Sequence, residues 1–162
     1  MTYTVRKMKD NDIAQVQYVA KVSWNATYEG IIPLSIQANF LKLAYSDEMM
    51  KRRLETSTIF VAEFDGKVAG FANYSPVSED GKVELGAIYL IPDHQGKGAG
   101  TALLKKGIDE LEGVREIFIN VEKDNEIGKT FYDAKGFEFV SEFDDDFDGH
   151  ILKTIRMVLQ VK

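Results

Sequence analysis

The stretch that most narrows what this chain can fold into is residues 88–111, IYLIPDHQGKGAGTALLKKGIDEL. An apolar run stops at Pro92, glycines alternate at Gly96, Gly98 and Gly100, and an amphipathic segment follows. In that segment Leu103, Leu104, Ile108 and Leu111 recur at the spacing of one buried helical face. A strand, a bare glycine loop and a helix in immediate succession commit the chain to layered α/β architecture. They also leave backbone N–H groups unshielded at a helix N-terminus, where the helix dipole favours an anion such as phosphate. Taken alone, the glycines are equally compatible with a flexible turn.

The letters discriminate among known phosphate loops. The dinucleotide fingerprint G-x-G-x-x-G fails, because position 101 is threonine. A Walker loop is suggested by Gly128, Lys129 and Thr130, but its first glycine would fall on Lys123 and the segment reads as helix interior. The pattern Q/R-x-x-G-x-G/A is met by Gln95, Gly98 and Gly100, after a strand and at the start of a helix. In that arrangement loop amides cradle a pyrophosphate, and glycine leaves the approach open.

The rest of the chain agrees with one α/β domain over residues 1–162. YTVRKM alternates as a strand, and Asp10 can cap an amphipathic helix to about Ser23. Pro33 and Ser46 or Asp47 can open two further helices. STIFVAEF, KVAGFANYSPV and KVELGAIYLI, joined by DG and SEDG, read as an antiparallel meander. After the glycine loop come a helix, the strand REIFINV, and the helix NEIGKTFYDAK with Gly136 as its left-handed stop. Two last strands, FEFVSEF and HILKTIRMVL, flank an acidic turn, DDDFDG, whose Asp144, Asp145, Asp146 and Asp148 either attract a polycation at long range or form a solvated hairpin loop. The order βααα-βββ-αβ-αββ gives a mixed, mostly antiparallel sheet flanked by helices.

Composition excludes several chemistries. With no cysteine, disulfides, thiolate metal sites and acyl-cysteine intermediates are ruled out. Two histidines, His94 and His150, argue against a histidine metal centre, so no metal is expected. A net charge of −6 disfavours nucleic acid and suits a cationic or neutral partner. No apolar run approaches the ~20 residues of a membrane span. MTYTVRKMKDND has no apolar signal core, so a cytoplasmic location without membrane contact is expected.

VELGAIYLIPDHQGKGAGTALL resembles motif A of the GCN5-related N-acetyltransferase superfamily, and NVEKDNEIGKTFYDAKGFEFV resembles its motif B. The resemblance implies acetyl-CoA as co-substrate, held where two parallel strands, KVELGAIYLI and REIFINV, splay apart. The backbone of Ile88, Tyr89 and Leu90 would pair with the pantetheine arm. Amides of Gln95, Gly96, Lys97, Gly98, Ala99, Gly100 and Thr101 would hold the pyrophosphate. The Lys97 side chain would add charge or remain in solvent, and Asn125 would bind the arm, cap its helix, or do both.

Acetyl transfer needs a neutral amine, stabilisation of an oxyanion and a proton for the departing thiolate. The family's motif B tyrosine falls on Tyr132, the expected general acid; otherwise it would be core. By its distance ahead of Gln95, Glu84 resembles the glutamate base of the histone-acetylating branch; otherwise it is an exposed strand glutamate, and a water relay or Tyr89 is the alternative base. A backbone N–H near Ile88 or Tyr89 would meet the oxyanion. Trp24, Tyr28 and Glu29 could form an amine pocket or simply pack two helices together. The expected acceptor is a small cationic amine such as a polyamine. A peptide or lysine amine, an aminoglycoside, an amino-acid herbicide analogue and a non-catalytic acyl-CoA sensor are the alternatives. The late strands from Phe137 to Leu159 offer edges that suit a homodimer.

Overall fold

A computed structural model describes residues 2–161. The chain runs β1 (Thr4–Lys7), α1 (Ile13–Thr27), α2 (Leu34–Ala44), α3 (Asp47–Thr56), β2 (Thr58–Phe64), β3 (Lys67–Tyr74) and β4 (Lys82–Leu90). It continues through α4 (Ala99–Glu110), β5 (Glu116–Glu122), α5 (Glu126–Ala134), β6 (Glu138–Phe147) and β7 (His150–Gln160). This is the order that the periodicities predict. The strands form one sheet, β1-β2-β3-β4-β5-β7-β6, in which only the β4–β5 pair is parallel.

Alternation decides which side chains each face buries. Phe60, Tyr74, Ile117 and Ile119 pack with Leu103 and Leu104 of α4. Val61 and Phe71 pack with Val16 and Val19 of α1 and Met50 of α3. Gly107 lets α4 approach closely, since a Cβ there would collide with the Tyr74 ring. The Tyr74 hydroxyl donates to the Leu103 carbonyl at 3.1 Å.

Two boundaries differ from expectation. Asp10 does not cap α1: residues Asp10–Asp12 form a short 3-10 turn, and the helix extends from Ile13 to Thr27. Asp12 is buried there, bonded to Arg6 at 2.7 Å and accepting the Lys9 N–H, also at 2.7 Å. The Arg6 guanidinium holds this carboxyl below its ordinary value. The acidic run is also not a turn. Asp144, Asp145 and Asp146 lie within β6, and the reversal falls on Asp148 and Gly149, both left-handed. Lys153 opposite Asp144, 2.6 Å away, offsets part of the charge that would otherwise oppose pairing.

The centre of the sheet opens. β4 pairs with β5 only at Lys82–Glu116, Val83–Ile117 and Glu84–Phe118. Beyond that, β4 continues to Leu90 along β3, and β5 continues to Glu122 along β7. The β3–β4 register passes from Tyr74–Leu85 to Asn73–Ala87, leaving Gly86 as an extra, bulged residue. A bulge bends and twists its strand, so Gly86 turns β4 away from β5 just past their last pair. The result is a fork whose inner edges carry unpaired backbone donors and acceptors.

Candidate active site

One side of the fork is built from backbone. β4 ends at Leu90, a 3-10 turn spans Pro92–His94, and Gly96 and Gly98 adopt φ of +73° and +95°. That left-handed geometry requires glycine, and a Cβ at either position would meet nothing within 4 Å, so the outer face of the loop is bare. The opening N–H groups of α4 have no acceptor within their own helix. Ala99 is fully buried and Lys97 is exposed, so the former offers only its amide. Gly100 has a different cause: a Cβ there would press on the Phe131 ring at 3.1 Å, so this glycine sets the approach of α5 to α4.

A cleft of about 320 Å³ runs from this loop into the fork. Its walls include Ile88, Tyr89, Leu90, Gln95, Asn125 and Tyr132. Asn125 accepts the Gly128 N–H at 2.9 Å, so it caps α5 while lining the cleft. Tyr132 is 8% exposed and packs edge-on against Phe131 and Phe137. Burial pushes its phenol well up, so the hydroxyl stays protonated across the physiological range. Among the described residues that hydroxyl has no hydrogen-bond partner.

A second cavity, about 300 Å³, lies against the other flank of β4 and is built from side chains. Trp24 stacks on Phe40 with centroids 4.4 Å apart, contacts Tyr28 at 4.5 Å and faces Phe147 at 5.7 Å. Among the described residues its indole N–H finds no acceptor. Glu122, 6% exposed, and Asp145 add carboxylates, while Arg53 adds a guanidinium. The Asp124 N–H donates to both Glu122 oxygens at 2.9 Å, yet burial still raises this carboxyl above its ordinary value. Burial also raises Tyr28 and Tyr89. Strand alternation turns Asp145 and Phe147 towards the cavity, while Asp144 pairs with Lys153 and Asp146 accepts the Gly149 N–H of the turn. The two cavities share Tyr28, Gly86, Ala87, Tyr89 and Asn120 as walls, so they meet at the bulge.

Two expected site residues lie elsewhere. Glu84 precedes the opening, in the part of β4 still paired with β5, and borders neither cavity. It is exposed and bonded to Arg156, whose guanidinium stacks on Phe118 at 4.7 Å. Arg156 in turn donates to Asn120 Oδ1 at 3.0 Å, so Glu84 reaches the junction only through two other side chains. Glu29 is separated from Trp24 and Tyr28 and lines a wider groove of about 830 Å³ with Gln37 and His150. The sequence did not point to Gly86, Glu122 or Arg53, and it offered Asp145 only as part of an acidic turn. Only Glu122 carried a local signal, a carboxylate in the alternating register of Phe118 and Asn120.

The family model described as the acetyltransferase (GNAT) family matches residues 24–137. This chain belongs to that family. Membership makes it an acetyl-CoA-dependent N-acetyltransferase. The uncharacterized N-acetyltransferase YuaI of Bacillus subtilis (strain 168) is 35% identical, over 95% of this chain and 91% of that one. The spermidine N(1)-acetyltransferase of Thermoplasma acidophilum is 27% identical over 91% and 95%. The crystal structure of the PaiA N-acetyltransferase of Thermoplasma acidophilum, in complex with coenzyme A, matches with a TM-score of 0.86 and 25% identity over 99% of both chains. Among the described residues, no helix is long and apolar enough to cross a membrane, and no cluster of His, Asp and Glu could hold a metal ion.

Proposed function

We propose that the protein transfers the acetyl group of acetyl-CoA directly to the primary amine of a small, cationic acceptor, with both substrates bound together. The observation that carries this reading is the meeting of two cavities at Gly86–Tyr89, one walled by backbone donors and the other by aromatics and carboxylates. The residues present fit coenzyme A: the bare left-handed loop suits its pyrophosphate, and the unpaired inner edge of β4 suits an extended amide-bearing arm. When bound, acetyl-CoA supplies an activated thioester.

The chain's own groups have separable tasks. Amides from Gln95 to Thr101 hold phosphate, with Lys97 adding long-range charge, and Ile88, Tyr89 and Leu90 align the arm. Trp24, Tyr28 and Phe147 enclose the acceptor and exclude water, and Glu122 attracts its ammonium. With its affinity for protons raised by burial, Glu122 is also the base that accepts the proton the amine must lose. Tyr132 holds a proton at its hydroxyl for the leaving sulfur. Glu84 is assigned no proton transfer; it anchors Arg156.

The test is thiol release from acetyl-CoA across a panel of polyamines, alkylamines, amino acids, short peptides and aminoglycosides. Turnover of small amines supports the reading. Turnover confined to peptides would overturn the acceptor assignment. Tight acetyl-CoA binding without turnover of any amine would overturn the catalytic one.

A further inference from the structure

The acceptor cavity is sorted by charge along the sheet. Arg53, in the last turn of α3, bonds to Asn73 Oδ1 on β3 at 3.3 Å and to the Ala44 carbonyl at 2.8 Å. Its guanidinium lies over the Tyr45 ring, 4.5 Å from the centroid. These contacts fix its position without neutralising it: among the described residues no carboxylate lies within ion-pairing distance. The carboxylates of the same cavity stand on the far side, Glu122 on β5 and Asp145 on β6. In the order β3-β4-β5-β7-β6, the whole of β4 separates Asn73 from Glu122. Adjacent strands are about 4.8 Å apart, so the guanidinium and the carboxylates form two poles instead of cancelling.

The reaction centre lies between those poles, because Gly86, Ala87 and Tyr89 of β4 border both cavities. A half-buried guanidinium lining a cavity without a counter-ion lowers its energy by pairing with an anion from solution. Polyamines and simple alkylamines carry none, and bringing them beside Arg53 adds repulsion. We infer that the acceptor is zwitterionic: its amine is presented at Gly86–Tyr89 on the Glu122 side, and a carboxylate a few bonds away is received by Arg53. This rests on the acetyl-transfer reading above and revises its acceptor from an amine that carries positive charge alone to one that carries a carboxylate as well, as small amino acids and their analogues do.

The experiment compares matched acceptors in the thiol-release assay: 4-aminobutyrate, its neutral amide, butylamine and spermidine. The first and third share chain length and amine basicity and differ in the carboxylate. Wild-type kcat/KM for 4-aminobutyrate should exceed that for butylamine roughly 10- to 100-fold, the worth of a charge-assisted hydrogen bond. Arg53→Gln should shrink that ratio at least ~10-fold, and Arg53→Lys should restore part of it. Equal values for the acid and the amine, or a preference for spermidine, would overturn the inference while leaving acetyl transfer intact. A ratio unmoved in folded Arg53→Gln would overturn it as well. Absence of thiol release with every amine would instead remove the reading on which it stands. The wild-type comparison decides even if the variants fail to fold.

Discussion

The two halves of the site are made of different materials. The half proposed to hold the acetyl donor is backbone: a left-handed glycine loop, a helix N-terminus and the unpaired edge of β4, all between Leu85 and Thr101. The acceptor half is side chain: Trp24 and Tyr28 from α1, Phe40 from α2, Arg53 from α3, Glu122 from β5, Asp145 and Phe147 from β6. A backbone site needs glycines at fixed spacing in one contiguous stretch, and it binds a group common to many reactions. A side-chain site is assembled from distant segments, and any one wall can change without disturbing the loop. On the proposed reading, the donor half fixes the chemistry and the acceptor half fixes the substrate.

That division predicts how substitutions separate. If Tyr132 holds the proton for the leaving sulfur, as proposed, Tyr132→Phe should lower kcat about 100- to 1000-fold while acetyl-CoA affinity stays within about twofold. Wild-type turnover would take Tyr132 out of the mechanism. Gly98→Trp forces a bulky side chain into φ +95° on the bare face of the loop. Acetyl-CoA should bind about 100-fold more weakly to a variant that circular dichroism shows to be folded. Unchanged affinity would break the donor half of the comparison.

Smaller effects are expected among the carboxylates. Glu122→Gln should lower kcat about 10- to 100-fold and abolish the acid limb of the pH–rate profile. The sign follows from burial. A base works deprotonated, its raised affinity for protons moves the limb above the usual carboxylate range, and activity falls as pH drops through it. Glu84→Gln should leave that limb in place, change kcat by less than about threefold, and cost less than about 1 kcal/mol of stability, as for other exposed ion pairs. A shifted limb in Glu84→Gln with none in Glu122→Gln would return the base to β4.

The same division explains what could be read from the letters. The element order, the splayed parallel pair and the loop from Gln95 to Thr101 were legible because strand and helix periods and glycine spacing are local signals. Asn125 capping α5 was legible for the same reason. For Glu84 the strand pattern gave the right place on β4, but nothing local announces that Gly86, two residues later, is a bulge. Whether a carboxylate stands before or after the opening depends on β3 and β5 together. Asp145 was read as part of a turn, because an acidic run resembles a loop until Lys153 appears across from it. Arg53 carried no signal at all, since its significance comes from a cavity whose other walls lie far away in sequence. Trp24 and Tyr28 were brought into the acceptor cavity and Glu29 was not, although all three belong to one short segment.

Because the two cavities join at the β4 bulge, the proposed mechanism has both substrates present when the acetyl group moves. Initial velocities measured over a grid of acetyl-CoA and amine concentrations, using an amine that the panel shows to turn over, test this most directly. Double-reciprocal plots should intersect, the signature of a ternary complex. Parallel lines would mean that the acetyl group rests on the protein between two separate half-reactions, and would contradict direct transfer.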